Sequence, residues 1–166
     1  MEYHQGALQT KTTATEPKQN VERKEIFVVY QNRFEVSGWV NRTLKVGMES
    51  YFPEFDFRFL HKELEVPGRH KTEYIVTKLR TTHKVVIVLS SRFNDCKYCR
   101  YALQTLIPEQ IDKVVPITIE NCQPPVILSN ISYLTHDDHN FWRKLGLGLF
   151  ETPAVPTGTY VKLQQL

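Results

Sequence analysis

The chain has 166 residues, 41% of them hydrophobic and 23% charged, a composition typical of one globular domain with a sizeable core. The net charge of +3 comes from 21 basic and 18 acidic residues that form no tract, which argues against nucleic acid as a partner. No stretch of the sequence has the roughly 18–20 apolar residues of a membrane span. Three cysteines favour a reducing compartment over a disulfide framework, and we expect a cytosolic location.

Composition divides the chain into three parts. Residues 1–25 are polar and lack the apolar core of a signal peptide, so we expect a flexible linker there. Apolar periodicity begins at Ile26 and marks a folded domain over residues 26–150. Residues 151–166 contain two prolines and one glycine, and we expect them to form an extended tail.

Segments rich in β-branched and aromatic residues alternate with segments of helical spacing. An apolar stripe with a period of four runs from Val36 to Met48 and predicts an amphipathic helix, with Ser37 as an early cap. The last helix is expected to be capped by Asp137 or Asp138. In chain order, the predicted elements are strand 26–30, helix 36–48, strand 55–60, helix 74–80, strand 85–90, helix 98–106, strand 114–119, a short strand 131–134 and a final helix from about 138.

This alternation of strands and single helices predicts a parallel sheet covered by helices on both faces. We therefore expect an α/β domain with a flavodoxin-like, doubly wound sheet of about five parallel strands. Pro116 lies inside the fourth predicted strand and cannot donate to a ladder of hydrogen bonds. That strand is therefore expected at an edge of the sheet or at a bulge.

Nucleotide binding in such sheets uses glycines after a strand, because they let backbone amides approach a phosphate group. The residues that follow the first strand, QNRFE, contain no glycine, and neither the G-x-G-x-x-G pattern nor the P-loop pattern occurs in the chain. We therefore expect no nucleotide site, no cofactor and no small-molecule substrate.

Cys96 and Cys99 have C-x-x-C spacing, which is compatible with a redox pair or with half of a zinc site. Cys122, His136 and His139 are the candidates for completing a metal site. Two well-spaced ligands without a second pair are a weak indication, however, and thiols behind a strand usually pack. We therefore predict no metal site.

Four stretches of the chain resemble, in order, motifs of Toll/interleukin-1 receptor (TIR) domains. IFVVY resembles the first box of the family, and FLHKELEVPG resembles the second box in its receptor form, where L-H-K precedes an Arg-Asp pair, two residues and Pro-Gly. VVIVLSSRF with CKYCRYAL resembles the third strand and third helix, and Phe141-Trp142 resembles the third box, which we interpret as core. The resemblance covers about residues 25–150. The resemblance is greatest to the cytoplasmic domain of a Toll-like receptor, and a small soluble adaptor protein remains the alternative.

The resemblance implies a signalling module of innate immunity. In the family, the Pro-Gly loop, called the BB loop, inserts into a neighbouring TIR domain, so other TIR domains, both copies of this chain and adaptors, are the expected partners in weak oligomers or filaments. We expect Leu64 and Val66 to be exposed for burial in a partner, Pro67 to stiffen the turn, Gly68 to permit it, and the charged residues to set the register. The predicted partner-binding residues are Glu63, Leu64, Glu65, Val66, Pro67, Gly68, Arg69 and His70.

Two departures from the family pattern bear on function. Glu63-Leu64 replaces the common Arg-Asp pair, so we expect an ion pair of the loop to be lost. Ala102 stands at the position of the glutamate that carries the reaction in TIR domains that cleave NAD. Alanine can neither act as a base nor stabilise an oxocarbenium ion, so we expect no enzymatic activity, with an NAD-cleaving TIR hydrolase as the alternative.

Overall fold

A computed structural model describes residues 22–106 and 108–151. The predicted linker up to residue 21 and the predicted tail from residue 152 lie outside the described residues. The sheet begins at Lys24, so the last two residues assigned to the linker belong to its first strand. The strands are β1 (Lys24–Val29), β2 (Phe55–Phe59), β3 (Lys84–Leu89), β4 (Val114–Thr118) and β5 (Leu134–Thr135).

The four predicted helices occur in the predicted order, and two short helices that were not predicted, over residues 60–64 and 108–111, lie between them. A π-helical segment, Val40–Leu44, joins the first two α-helices into one helical stretch over residues 34–51, which contains the predicted apolar stripe. No helix within 22–106 and 108–151 is long and apolar enough to cross a membrane. The α-helices are α1 (Phe34–Trp39), α2 (Lys45–Tyr51), α3 (Leu60–Leu64), α4 (Lys71–Thr81), α5 (Lys97–Thr105), α6 (Pro108–Ile111) and α7 (Phe141–Phe150).

Both predicted helix caps are wrong. Ser37 lies inside α1, whose N-cap position is occupied by Arg33, because the helix begins before its apolar stripe. The N-cap of α7 is Asn140, and the carboxylate of Asp138 instead accepts a hydrogen bond from the backbone N–H of Asn140 (2.8 Å). These errors concern helix boundaries and leave the predicted helices in place.

The five strands are all parallel and lie in the order β2-β1-β3-β4-β5, which confirms the doubly wound, flavodoxin-like sheet. A hydrophobic cluster lies on each face. One contains side chains of the 34–51 helical stretch and α7, including Phe141, and the other contains side chains of α3, α4 and α5. Trp142 packs against the first cluster, so the interpretation of Phe141-Trp142 as core is confirmed.

Pro116 is accommodated because β5 is only two residues long. β4 pairs with β3 along its whole length, with Pro116 opposite Ile87. β5 pairs only with Ile117 and Thr118, so the half of β4 that contains the proline has a neighbouring strand on one side only. The predicted edge position is therefore right for that half of the strand.

Candidate partner-binding loop

The predicted interaction loop, residues 63–70, begins in the last turn of α3, which follows β2 directly, and its residues 65–70 link α3 to α4. Leu60 and Leu64 lie four residues apart on one face of α3 and pack in the same cluster as Ile75 and Leu79 of α4. Leu64 is only 6% exposed, so the expectation that it would be available to a partner is wrong. Its side chain anchors the start of the loop to the core.

The tip of the loop is a hydrogen-bonded turn centred on Pro67 and Gly68. The backbone N–H of Arg69 donates to the carbonyl of Val66 (3.2 Å), and Gly68 has a φ of +79°. Proline in the second position followed by a glycine with positive φ is characteristic of a type II turn. A Cβ atom at Gly68 would meet no atom within 4 Å, so the backbone conformation alone requires glycine here.

Glu63, Arg69 and Tyr74, which we call the clasp, tie the two ends of the loop together. Arg69 Nη1 donates to the backbone carbonyl (2.7 Å) and to Oε2 (3.0 Å) of Glu63, and its guanidinium lies 4.0 Å from the centroid of the Tyr74 ring. The Tyr74 hydroxyl donates to the same Oε2 (2.7 Å). In place of the Arg-Asp pair of the family, this loop has ion pairs of its own, because Glu63 pairs with Arg69 and also lies 3.5 Å from Arg58 Nη1.

The clasp also determines how its members ionise. Burial opposes the charge on Glu63, but hydrogen bonds from Tyr74 and Arg69 and the charges of Arg58 and Arg69 outweigh it and hold the pKa of this carboxyl below its ordinary value. Burial first, and then the bond to the Glu63 carboxylate, raise the pKa of the Tyr74 hydroxyl. At neutral pH the clasp therefore consists of a carboxylate that accepts from a guanidinium and a neutral phenol.

The residues of the tip face solvent. Val66 is 44% exposed, and Glu65, Pro67, Gly68 and His70 are also exposed. The other three predicted contact residues, Glu63, Leu64 and Arg69, are buried or partly buried. The loop thus presents the apolar side chains of Val66 and Pro67 on a stiff turn, with Glu65 before them and His70 after them, an arrangement suited to insertion into a complementary surface.

A second group of side chains lies at the start of α3. His61 Nε2 is 3.8 Å from Cys96 Sγ and 4.0 Å from Cys99 Sγ. Cys99 Sγ donates to the backbone carbonyl of Tyr30 (3.0 Å), which is also 2.5 Å from His61 Nε2. The Cys99 side chain and His61 lower the pKa of the Cys96 thiol although burial opposes this, whereas burial raises the pKa of the Cys99 thiol.

The structure thus joins the C-x-x-C pair to a histidine that the sequence analysis did not nominate. His61 precedes Cys96 by 35 positions, and only the folded sheet brings the two together. Cys122 donates instead to the carbonyls of Leu89 and Ile119 (3.4 Å each). In the part of the chain that the structure describes, neither Cys122 nor the two histidines near α7 belong to a cluster of metal-ligating side chains.

Ala102 lies on α5, is 1% exposed and packs in the core cluster that also contains side chains of α3 and α4. Two carboxylates lie near it in sequence. Glu109 is exposed at the start of α6, and Glu120 accepts a hydrogen bond from the backbone N–H of Ser91 (3.0 Å) and pairs with Arg33. The pKa of Glu120 is lowered, mainly by the hydrogen bond from the Ser91 hydroxyl and also by the Ser91 backbone N–H and the charge of Arg33. A carboxylate with a lowered pKa is a weak general base.

A cleft of about 360 Å³ opens at the carboxyl ends of β3 and β4, a place where doubly wound sheets bind ligands. Its polar lining consists of hydroxyl and amide side chains, including Ser91, Asn94 and Gln123. The lining residues include no glycine, lysine or arginine. The cleft therefore lacks the glycine-rich turn and the cationic side chains of common phosphate-binding sites.

Two solved structures share this fold. The TIR domain of a Toll-related receptor from Hydra magnipapillata aligns with a TM-score of 0.63 at 22% sequence identity, over 76% of this chain and 98% of that domain. A prokaryotic SEFIR domain aligns with a TM-score of 0.56 at 13% identity, over 80% of this chain and 96% of that domain. No family model matches the chain. By its strand order and this likeness, the protein has the TIR fold.

Within that class, the sequence is similar to Toll-like receptor 2 of several species. It is 31% identical over 100 residues to the receptor of Boselaphus tragocamelus, a match that covers 58% of this chain and 12% of the receptor. It is 29% identical over 107 residues to the receptor of Homo sapiens, which covers 62% of this chain and 13% of the receptor. The resemblance to TIR domains of Toll-like receptors is confirmed, and the chain spans about an eighth of the curated relatives it matches.

Proposed function

We propose that this protein is a TIR signalling scaffold that self-associates and recruits other TIR domains in Toll-like innate-immune signalling. The TIR fold and the similarity to Toll-like receptor 2 support the class of function. The observation that carries the proposal is the loop, in which the clasp fixes both ends and an exposed type II turn forms the tip. The module acts in the cytosol, and at the membrane surface if the chain is part of a receptor.

The chemistry of the loop fits a docking element. Pro67 and the clasp restrict the backbone before binding, so little conformational entropy is lost when a partner closes on the turn. Burying the exposed part of Val66 contributes about 1 kcal/mol, and Glu65 and His70 supply charge complementarity at the rim. Isolated domains therefore associate weakly, and head-to-tail contacts propagate into open filaments at high concentration.

Charge placed on the tip tests the proposal. Val66→Asp is expected to weaken self-association by about tenfold or more, because a desolvated carboxylate replaces the apolar contact. Sedimentation velocity over a concentration series measures this change. Pro67→His is expected to act in the same direction by loosening the turn. Leu64→Asp is unsuitable as a test, since Leu64 is buried and the substitution would destabilise the domain itself.

Val46→Asp is the matched control, because Val46 is 58% exposed on α2, outside the loop. Circular dichroism establishes that each variant is folded. The loop is not the contact if Val66→Asp associates as strongly as the unaltered protein, or if Val46→Asp weakens association equally.

We also propose that the protein does not hydrolyse NAD. The position that carries the catalytic glutamate in NAD-cleaving TIR domains holds Ala102, which is buried in the core. Purified protein at high concentration is expected to leave NAD at the level of a buffer control over many hours. Consumption of NAD above that control, with nicotinamide released, would refute this part of the proposal and restore the hydrolase alternative.

A further inference from the structure

We propose that His61, Cys96 and Cys99 form a binding site for a zinc ion. The site is separate from the loop tip, and its existence does not depend on the proposed signalling function. Each residue offers one ligand atom, and the three atoms lie within 4.8 Å of one another. Imidazole nitrogen and cysteine sulfur are the ligands that zinc prefers in proteins.

The distances are close to those of an occupied site. With Zn–S bonds of about 2.3 Å and Zn–N bonds of about 2.0 Å, a tetrahedral centre places sulfur and nitrogen ligands about 3.5 Å apart. His61 Nε2 lies 3.8 Å from Cys96 Sγ and 4.0 Å from Cys99 Sγ. Each of these two distances lies within about half an ångström of that value, a difference that side-chain rotation can supply.

The backbone carbonyl of Tyr30 indicates where a fourth ligand would come from. This oxygen contacts both Cys99 Sγ (3.0 Å) and His61 Nε2 (2.5 Å), so it points into the cluster. As hydrogen-bond donors to this oxygen, Cys99 Sγ and His61 Nε2 each carry a proton that a bound cation would displace. When zinc replaces those protons, either the carbonyl oxygen or a water takes the fourth position, since His61 and Cys96 are only partly buried.

Further contacts hold the ligands in place. The Cys99 backbone N–H donates to Cys96 Sγ (3.4 Å), which orients that sulfur towards the histidine. The Tyr30 ring packs edge-on against the His61 ring, with centroids 5.1 Å apart. Metal ligands that are oriented in this way by neighbouring groups bind more tightly than free ones.

The place of the cluster in the fold supports a ligand site. Tyr30 follows β1, His61 follows β2, and the two cysteines begin α5, which follows β3. Because β1 lies between β2 and β3 in the sheet, the cluster lies at the carboxyl ends of the strands where the order reverses. This switch point is where doubly wound sheets bind ligands. A metal here would tie α3, which anchors the loop, to the start of α5.

Cobalt serves as the probe, because tetrahedral Co²⁺ bound to thiolates absorbs strongly in the near ultraviolet and visible. Reduced, metal-free protein is expected to bind one equivalent of Co²⁺ with a thiolate charge-transfer band, and Zn²⁺ is expected to displace it. Cys96→Ser and His61→Asn are each expected to weaken Co²⁺ binding by at least about tenfold. Circular dichroism of both variants without metal shows whether either has lost its fold, in which case the other decides.

Cys122→Ser and His139→Asn are the matched controls, since both residues lie outside the cluster, and both variants are expected to bind Co²⁺ as the unaltered protein does. The proposal is overturned if the reduced protein binds less than one equivalent, or if the spectrum lacks thiolate charge transfer. It is also overturned if folded Cys96→Ser and His61→Asn retain full affinity, or if a control loses as much affinity as they do.

Discussion

Gly68 is the residue on which the shape of the loop depends most directly. Its φ of +79° lies in a region that side chains with a Cβ atom disfavour. The space around it is open, with no atom within 4 Å of a built Cβ. A substitution at Gly68 therefore tests the effect of backbone conformation on stability without adding a steric clash.

Gly68→Ala is expected to lower the free energy of unfolding by about 1 kcal/mol, because alanine is strained at positive φ while no clash is added. Gly68→Asn is expected to lower it by less than half as much, since asparagine tolerates this conformation. Urea denaturation measures both values. Equal losses for the two variants would show that something other than backbone strain determines the preference for glycine.

Arg69 shows that a residue predicted to contact a partner also works inside the domain. Arg69→Lys keeps the charge, but it loses the paired contacts to Glu63 and the stacking on Tyr74. We expect a loss of about 1 kcal/mol in the free energy of unfolding and faster hydrogen exchange in residues 65–70. Arg80→Lys, at an exposed position of α4, is the control and is expected to change stability by less than about 0.5 kcal/mol. A similar change for both variants would contradict a role for the clasp.

At the scale of elements, the contact between α2 and α7 limits the size of the side chain that α2 can carry at its buried positions. Gly47 lies on the buried side of α2, where a Cβ atom would overlap the indole of Trp142. Gly38 lies in α1, where a Cβ atom would meet only the end of the Arg42 side chain, at 2.5 Å. The two glycines occupy the same helical stretch but have different surroundings.

Gly38→Ala and Gly47→Ala are therefore expected to change stability in opposite directions. Alanine is a better helix former than glycine by about 1 kcal/mol. At Gly38 the flexible arginine can move away with the loss of one exposed hydrogen bond, from Arg42 Nε to the Gly38 carbonyl (3.2 Å), so that variant is expected to gain stability on balance. At Gly47 the ring of Trp142 must shift within the core, and we expect a net loss of about 1–3 kcal/mol. Thermal or urea unfolding measures both variants, and a gain in stability for Gly47→Ala would contradict the packing described for α2 and α7.

For the whole molecule, the described residues place one hydrophobic cluster on each face of the sheet. The predicted linker and tail remain predictions. If they contribute no packing, a chain of residues 22–151 should unfold cooperatively, with a free energy of unfolding within about 1 kcal/mol of that of the full chain. A larger loss, measured by urea denaturation, would place part of the folded domain outside this range.

Local patterns predicted most of the architecture because they act over a few neighbouring residues. The buried runs IFVVY and VVIVLS are too apolar for any exposed position and became the central strands β1 and β3. Pro67-Gly68 predicted a turn because proline fixes its own φ and glycine readily adopts a positive φ, whatever surrounds them. The misplaced caps of α1 and α7 show the limit of this reasoning, since a boundary depends on which neighbours satisfy the end of the helix.

The direction of Leu64 could have been predicted from its spacing. Leu60 and Leu64 lie four residues apart, which places both on one face of a short helix. The resemblance to a loop motif instead suggested an extended, exposed segment. Leu64 is instead buried against α4, because burying its side chain in the core stabilises the fold more than leaving it exposed to solvent.

The sequence by itself determined the order of the strands and helices, the doubly wound class and the stiff turn at Pro67-Gly68. These features follow from side-chain periodicity and backbone restriction, which are properties of short segments. Only the tertiary structure decided that Glu63 and Arg69 form a clasp and that His61 lies beside Cys96 and Cys99. His61 meets the cysteines because parallel strands bring the ends of segments that are far apart in sequence to the same end of the sheet. The clasp forms because the turn brings Arg69 back to Glu63, six residues earlier, and in neither case does a local pattern specify which side chains meet.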